Sequence, residues 1–300
     1  MNILVTGARG LIGGALVPFL IADGHRVLRL VRSKAGSGPG DVAWDPPAGA
    51  IDRAALRGLD AVVHLAGENI FGRWTAGKKA RIRDSRAKPT RLLCESLAQL
   101  SPPPRVLACA SAVGYYGDRG AEVLREESAP GNSFLADVCR EWEAATQVAT
   151  DRGIRVVNLR FGVVLTPSGG ALATMLLPFR LGLGGRFGSG RQFMSWIALD
   201  DLLGVVRHAL TTEALRGPVN TVAPDPITNL EFTRTLGRVL RRPTLFPVPA
   251  FAARLVMCEM ADALLLASAR VEPAQLLATG FRFRFPELEG ALHHLLGKTK

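Results

Sequence analysis

The stretch that most constrains the fold is the first fourteen residues, MNILVTGARGLIGG. An apolar run of strand length, residues 2–6, breaks into a G-x-x-G-x-x-G loop and then continues as the helical-looking ALVPFLIADGH. In such a loop Gly7 allows the tight turn, Gly10 lets backbone N–H groups approach a pyrophosphate, and Gly13 lets the helix pack close to the strand. The helix N-terminus then faces the phosphates with its partial positive charge. The stretch predicts a dinucleotide-binding unit; an ordinary glycine turn is the alternative.

The end of the next strand indicates which dinucleotide is bound. Residues 25–31 form the second predicted strand, which is followed by Arg32, and the next acidic residue is Asp41. A site for NAD usually has an acidic residue here for the ribose 2′-OH, whereas an arginine accommodates a 2′-phosphate. We therefore expect NADP(H), with Arg9 of the glycine loop placed to assist; an Arg32 that is merely exposed is the alternative. From these two turns the expected cofactor contacts are Thr6, Gly7, Arg9, Gly10, Leu11, Ile12, Gly13, Val31 and Arg32.

Strands and helices alternate through the first half of the chain, which predicts an α/β fold with a parallel, doubly wound sheet. From residue 166 the pattern loosens into a glycine-rich segment. The predicted elements after the second strand are strands at 42–44, 61–65, 106–110 and 155–159 and helices at 79–100 and 132–151. We expect a Rossmann-type NAD(P)-binding domain over 1–225, with 166–195 contributing to the substrate cleft, and a small α+β lobe over 226–300.

Composition narrows the class of protein. Hydrophobic residues make up 48% of the 300 residues, but no apolar run reaches the roughly 18 residues of a membrane span, so we expect no membrane partner. Met1 leads directly into the first strand, which predicts a cytoplasmic protein without a secretory signal. The four cysteines are scattered without metal-ligand spacing. They predict reduced core thiols and no metal site.

The net charge of +11 comes from 37 basic residues, of which only six are lysines. A nucleic-acid binder would more often gather its basic residues on one face with interleaved aromatics. Here the arginines are spread along the chain, and only residues 78–86, KKARIRDSR, form a cluster. We therefore expect anionic small ligands and no nucleic-acid partner.

Further motifs together resemble the extended short-chain dehydrogenase/reductase group. These are TGARGLIG, HLAG ending at Gly67, SAVGYYG at 111–117, LRFGVVL at 159–165 and SWIALDDL at 195–202. The segments LAGENI, CREWEAA, LPFRLGLGG and GSGRQFMSWI, and the SR-x-x-x-T pattern at Ser85, Arg86 and Thr90, are similar to an atypical branch of that group. Its members are called epimerase-family, or nucleoside-diphosphate-sugar epimerase-like, proteins. The C-terminal stretch resembles that branch's own small domain.

The resemblance implies where a cofactor and a small-molecule substrate would lie. It implies cofactor contacts from Leu65, Ala66 and Gly67 after the fourth strand, and from Gly162 and Val164 at the nicotinamide end. It places Arg81 and Arg86 toward the phosphate side of the cofactor. Asn69, Arg191 and Gln192 are candidates for binding the substrate, whose identity the sequence leaves open. Many relatives pair through two helices, so a homodimer is also open.

Two of the three catalytic residues of the group, the Tyr and the Lys, have no match in this chain. Active relatives use a Ser or Thr, then a Tyr that exchanges a proton with the substrate, and four residues later a Lys that lowers the tyrosine pKa and holds the nicotinamide ribose. Ser111 matches the first member. The only tyrosines are Tyr115 and Tyr116, and no lysine lies between residues 88 and 298. The resemblance places Leu135 and Cys139 where the Tyr and Lys would stand.

Two hypotheses remain. In the first, the protein is an oxidoreductase or epimerase-like enzyme in which Tyr116 or Tyr115 supplies the proton, Ser111 orients the substrate oxygen, and Arg160 lowers the tyrosine pKa. In the second, it is a non-catalytic NADP-dependent regulatory protein; relatives linked to bacterial and plastid division imply such a partner-binding role. Two polar sites have structural interpretations: His64 as a core histidine, and Asp200 and Asp201 as caps of the helix that follows them.

Overall fold

The computed structural model describes residues 1–32 and 38–298. Fourteen strands and ten helices follow one another along this part of the chain. The strands are β1 Asn2–Thr6, β2 Arg26–Val31, β3 Asp41–Asp45, β4 Ala50–Ile51, β5 Ala61–His64, β6 Val106–Ala112, β7 Val123–Leu124, β8 Arg155–Phe161, β9 Val163–Leu165, β10 Phe193–Met194, β11 Trp196–Ala198, β12 Gly217–Thr221, β13 Ile227–Thr228 and β14 Arg270–Val271. The helices are α1 Leu11–Ala22, α2 Ala76–Ala98, α3 Phe134–Ala144, α4 Gln147–Asp151, α5 Gly170–Arg180, α6 Leu199–Thr211, α7 Asn229–Leu240, α8 Ala250–Met257, α9 Ala274–Ala278 and α10 Leu288–Leu295.

Eight strands form the central sheet, in the order β12-β8-β6-β5-β1-β2-β3-β4. All neighbours run parallel except β3 and β4. The order reverses at β1, which has β2 on one side and β5 on the other. In an open α/β sheet of this kind, ligands bind outside the carboxyl ends of the strands at the reversal point. The predicted doubly wound sheet is confirmed.

Helices cover both faces of this sheet, because successive strand residues point to opposite sides. Ile3 and Val5 of β1 pack into one apolar core with α1 and α6. Leu4, between them, packs into a second core with α2, α3 and α4. The strands therefore read as continuous apolar runs, as expected for strands buried on both faces.

Two details of the predicted helices are wrong. The single helix predicted over 132–151 is divided into α3 and α4, and between them the Thr146 hydroxyl donates to the Glu143 carbonyl at 2.7 Å. The predicted capping of α6 by Asp200 and Asp201 is also wrong, because the helix begins at Leu199 and both residues lie within its first turn. Asp201 instead accepts the backbone N–H groups of Arg284 and Phe285, at 2.7 and 2.9 Å, which fastens the C-terminal segment to α6.

The C-terminal segment is tied back to the sheet domain by short strand pairs. β13 pairs with β10, and β14 pairs with β7. A third apolar core joins α5, α7 and α10. Within the part of the chain that the structure describes, no helix is both long enough and apolar enough to span a membrane.

Candidate functional site

The glycine loop between β1 and α1 has the geometry of a phosphate cradle. Gly7 has φ +67°, a conformation that L side chains rarely adopt, and a Cβ there would lie 2.7 Å from the Leu65 carbonyl oxygen. A Cβ at Gly13 would lie 2.3 Å from the Gly7 carbonyl oxygen. Gly10 is the N-cap of α1 and has no side chain to cap it, and the first turn carries no acidic residue. The free N–H groups at this end of the helix therefore remain available to an anion.

Thr6 differs from its predicted role as a cofactor contact. The residue is buried, and its hydroxyl accepts the N–H groups of Leu65 and Ala66 at 3.0 and 3.1 Å and contacts His64 Nδ1 at 2.7 Å. The hydrogen-bonding capacity of its hydroxyl is thus satisfied inside the protein, where it holds the end of β5 against the end of β1.

His64 is a core histidine, as predicted. It is fully buried, and burial lowers its pKa to about 4. The Thr90 hydroxyl donates to the Arg86 carbonyl at 2.6 Å and so accepts from His64 Nε2 at 2.9 Å. Because the Thr6 hydroxyl already accepts two N–H groups, it donates to His64 Nδ1. The ring is therefore neutral and carries its proton on Nε2.

The adenosine end of the site lies at the end of β2. Val31 is buried and Arg32 is exposed. The next acidic residue, Asp41, lies under the surface, where Arg29 Nε approaches its Oδ1 at 2.6 Å and the Gly38 N–H donates to its Oδ2 at 3.0 Å. Arg9 Nη2 lies 4.0 Å from the same carboxylate. Asp41 is therefore engaged by neighbouring residues, while Arg32 and Arg9 give this end of the site positive charge.

The end of β5 carries the next predicted contacts. Leu65 and Ala66 are half-buried and Gly67 is exposed. The Arg86 guanidinium packs against Gly67, with its Cζ 3.3 Å from the position of a Cβ there, and Nη2 donates to the Glu68 carbonyl at 3.0 Å. Arg81 is exposed, with its Nε 3.5 Å from the Glu68 carboxylate. Arg86 is thus fixed against the end of β5, whereas Arg81 lies at the surface.

Ser111 does not have the free hydroxyl that the catalytic hypothesis requires. It is buried at the end of β6 and donates to Glu143 Oε1 at 2.7 Å. Glu143 also forms a two-pronged ion pair with Arg160, in which Nε–Oε1 and Nη2–Oε2 are both 2.8 Å. Serine and arginine face the same carboxylate because Ser111 and Arg160 are paired neighbours in the parallel strands β6 and β8.

Tyr116 is fully buried and its hydroxyl is satisfied within the protein. It contacts Asn220 Oδ1 at 2.7 Å and the Arg125 carbonyl at 3.0 Å, and it accepts from Arg160 Nη1 at 2.9 Å. Burial raises the pKa of Tyr116 to about 12, although Arg160 acts to lower it, as predicted, through its charge and its hydrogen bond. A buried phenol with a raised pKa is poorly suited to exchange a proton with a substrate.

Tyr115 lies differently, although it is the neighbouring residue. It is half-buried in the turn after β6, and the Arg160 Cζ lies 3.5 Å from its ring centroid. Among the described residues, its hydroxyl has no hydrogen-bond partner. Of the two tyrosines, Tyr115 is therefore the one whose hydroxyl is not engaged by the described residues.

Leu135 and Cys139, where the resemblance predicts a Tyr and a Lys, lie on α3. Leu135 packs against Gly114, where a Cβ would lie 3.3 Å from the leucine Cβ. Cys139 is buried, and burial raises its pKa to about 11. Neither residue can supply a mobile proton or a fixed positive charge near neutral pH.

The three candidate substrate residues differ in their exposure and in their hydrogen bonding. Asn69 is exposed and its Oδ1 accepts the Phe71 N–H at 2.9 Å, which leaves the amide nitrogen open. Arg191 is also exposed. Gln192 is buried and its amide donates to the carbonyls of Phe187 and Leu265, at 3.0 and 2.9 Å. The structure therefore gives Gln192 a structural role, as a clamp between two loops.

Two predicted contacts after β8 lie beside the Ser195 segment. Gly162 is required for close packing, because a Cβ there would lie 2.6 Å from the Ser195 carbonyl oxygen. Val164 is half-buried in β9, paired with Ile197. Farther along, the Leu11 side chain packs against Gly169, where a Cβ would lie 2.8 Å from its Cδ1. The start of the predicted cleft segment, 166–195, thus adjoins the glycine loop.

Sequence reasoning missed Glu143 and Asn220, which organise the polar network beneath the site. Cys94, Cys109 and Cys139 are buried free thiols, as predicted, whereas Cys258 is a free thiol that is only half-buried. In residues 1–32 and 38–298, no cluster of His, Cys, Asp or Glu side chains could hold a metal ion.

Comparison with known proteins gives two family matches. Residues 3–221 match the NAD dependent epimerase/dehydratase family, and residues 248–295 match a domain of unknown function, DUF1731. An epimerase family protein of Mycobacterium bovis is 43% identical over 97% of this chain and 96% of its own length.

Two solved structures are similar along nearly the whole chain. The crystal structure of human epimerase family protein SDR39U1 (isoform 2) with NADPH has a TM-score of 0.91 at 38% identity and covers 100% of both chains. The nucleoside-diphosphate sugar epimerase from Corynebacterium glutamicum has a TM-score of 0.82 at 39% identity, covering 99% of this chain and 58% of its own.

Proposed function

The chain belongs to the NAD dependent epimerase/dehydratase family, and from that premise we propose that it binds NADP(H) and transfers hydride to or from a small-molecule substrate. One observation carries the cofactor choice: the glycine cradle is followed by an exposed Arg32, while Asp41 is held by Arg29 and Gly38. An arginine favours a 2′-phosphate and a free acid would favour a 2′-OH. The human relative crystallised with NADPH supports the same choice.

The chain's residues fit this cofactor. The N–H groups at the start of α1 would hold the pyrophosphate, and Arg32 with Arg9 would neutralise the 2′-phosphate. Leu65, Ala66 and Gly67 would line its middle, and Gly162 and Val164 its nicotinamide end. When bound, NADPH supplies a hydride to a carbonyl and NADP⁺ accepts one from an alcohol.

Proton handling falls to Tyr115 in this proposal. Its hydroxyl is open, whereas Tyr116 and Ser111 are engaged by Asn220 and Glu143. The Arg160 guanidinium lies against its ring, with Cζ 3.5 Å from the ring centroid, and holds the ring in place. Asn69 and Arg191, both exposed, would bind polar groups of the substrate.

The second candidate is a non-catalytic protein that reports NADP(H) occupancy to a partner. The observation in its favour is that the Ser111 hydroxyl and the Tyr116 hydroxyl are both committed to internal hydrogen bonds. In either case, a Rossmann-type domain over 1–225 and a lobe over 226–300, in the cytoplasm, remain part of the proposal.

Titration with NADPH and NADH, by calorimetry and nicotinamide fluorescence, tests the cofactor assignment. We expect NADPH to bind more tightly than NADH, and Arg32→Ala to weaken NADPH binding at least tenfold, about 1.4 kcal/mol, with little effect on NADH. Equal affinity for the two nucleotides in the wild type would refute the NADP(H) choice.

A carbonyl-substrate screen then separates the two functions. Substrate-dependent oxidation of NADPH that is lost in Tyr115→Phe and retained in Tyr116→Phe supports the enzyme. If no substrate is turned over and a partner protein is recovered only in the presence of NADPH, the regulatory role is supported instead.

A further inference from the structure

Arg86 is a positive charge held close to the position where relatives have a lysine. Its Cζ lies 5.1 Å from the centroid of the Trp142 ring on α3, and Cys139 lies one turn earlier on the same helix. Its Nη1 donates to the Ile82 carbonyl and its Nη2 to the Glu68 carbonyl, both at 3.0 Å. The guanidinium is therefore fixed between the end of β5 and α3 by contacts on three sides.

This location is on the nicotinamide half of the site. The sheet order runs from β2, at the adenosine end, through β1 and β5 to β6 and β8. Arg86 touches Gly67, after β5, and Trp142, on the helix that follows β6. It is thus displaced toward β6 from the glycine loop, which differs from its predicted place on the phosphate side.

The guanidinium also keeps hydrogen-bonding capacity. An arginine has five N–H donors, and in the described structure Arg86 uses three of them, on Ile82, Ser85 and Glu68. The side chain is only half-buried, beside the exposed Gly67. Two donors and a permanent charge are therefore available to a ligand that lies over the end of β5.

We propose that Arg86, reaching across from α2, holds the nicotinamide ribose of NADP(H) in place of the lysine that α3 lacks. This inference rests on the proposed NADP(H) binding. Arg86 is then a binding residue whose charge and remaining N–H donors meet the ribose hydroxyls, and Cys139 is free to be a small core residue because the charge comes from the neighbouring helix.

Comparing NADPH with 2′-phospho-ADP, which keeps both phosphates of the pyrophosphate and lacks the nicotinamide and its ribose, tests the proposal. We expect Arg86→Gln to weaken NADPH binding about tenfold and to leave 2′-phospho-ADP binding within about twofold of the wild type. Arg83→Gln is the matched control, because it removes one charge from the same helix at an exposed position paired with Glu141. It should leave both affinities unchanged.

Three other results are possible, and they would contradict the ribose assignment, the contact of Arg86 with the cofactor, or the proposed function. If Arg86→Gln weakens both ligands equally, its role is structural or lies at the phosphates, and the ribose assignment is overturned. If it weakens neither, Arg86 does not touch the cofactor. If the wild-type protein binds neither 2′-phospho-ADP nor NADPH with measurable affinity, it is the proposed function that fails.

A rescue variant separates charge from packing. In Arg86→Gln/Cys139→Lys, a lysine is restored to α3, and we expect NADPH affinity to return to within about threefold of the wild type. Loss of packing against Gly67 and Trp142 would not be repaired by a lysine at 139. If the double variant is folded, as judged by its 2′-phospho-ADP affinity, and still binds NADPH as weakly as Arg86→Gln, Arg86 does not replace the charge of the missing lysine.

Discussion

Glu143 on α3 and Arg160 on β8 form a forked ion pair below Ser111, with both N–O distances at 2.8 Å. Only 3% of the Arg160 side chain and 14% of the Glu143 side chain are exposed to solvent. The same guanidinium donates to the Tyr116 hydroxyl and to the Glu126 carbonyl. One buried charge pair thus joins β6, β8, α3 and the turn after β6.

Removing the carboxylate of this pair is expected to destabilise the fold strongly. In Glu143→Gln, Arg160 keeps its charge in a buried site without a counter-ion, which costs about 3–5 kcal/mol. Urea unfolding measures the change. Glu289→Gln is the control, because its pair with Arg238 is exposed on both sides and is expected to contribute no more than about 1 kcal/mol. Equal losses in the two variants would show that Arg160 is not stabilised by Glu143.

The two tyrosines should respond differently to loss of their hydroxyl groups. Tyr116→Phe leaves the buried Asn220 Oδ1 without its hydroxyl partner and removes one acceptor of Arg160, and we expect a loss of about 1–3 kcal/mol of unfolding free energy. Tyr115→Phe keeps the ring under Arg160 and removes a hydroxyl with no partner among the described residues, so the expected change is within about 0.5 kcal/mol. Thermal and urea unfolding of both variants check this. A larger loss in Tyr115→Phe would reverse our assignment of the buried and open hydroxyls.

The glycine loop offers a matched pair of substitutions one residue apart. In Gly13→Ala the new Cβ would lie 2.3 Å from the Gly7 carbonyl oxygen, so α1 must move away from the loop. We expect NADPH affinity to fall at least tenfold, because the N–H groups of the helix leave their positions.

Gly14→Ala meets only the Ala8 carbonyl oxygen, at 3.9 Å. This variant should bind NADPH like the wild type and gain up to about 1 kcal/mol of stability from the better helix propensity of alanine. Calorimetric titration together with thermal unfolding measures both effects. If Gly13→Ala and Gly14→Ala bind NADPH equally well, the close contact at Gly13 does not hold the N–H groups of α1 in position for the cofactor.

The parts of the site that could be predicted from the sequence depend on local patterns. The β1 strand, the glycine loop and α1 are adjacent in the chain, and steric limits at Gly7 and Gly13 leave few residue types possible there. The alternation of strands and helices along the first half of the chain indicated the parallel, doubly wound sheet. The position of Arg32 was predictable because it directly follows the β2 strand in the chain.

The direction of polar side chains could not be predicted in this way. Ser111 was expected to face a substrate, and it donates to Glu143, which is 32 residues away. Thr6 and Gln192 were expected to contact ligands and instead bond to backbone groups of distant segments. These partners are decided by strand register and by the packing of α3 on β6. A single sequence shows neither the register of the strands nor the packing of this helix.

His64 gives the fold a pH dependence whose sign follows from its burial. Its pKa is lowered from 6.5 to about 4 because the ring is buried. Between these values the unfolded chain binds a proton that the native protein does not, so stability falls as pH drops from 6.5 toward 4. The difference corresponds to about 3 kcal/mol.

Comparison with His64→Gln isolates this contribution. Glutamine can accept from Thr6 and donate to Thr90, but it does not titrate. Urea unfolding of both proteins at intervals from pH 7 to pH 4 gives the difference in unfolding free energy, in which most other titrating groups cancel. We expect the wild type to lose about 3 kcal/mol relative to the variant over this range. A difference that does not change with pH would mean that burial does not lower the pKa of His64 in the native protein.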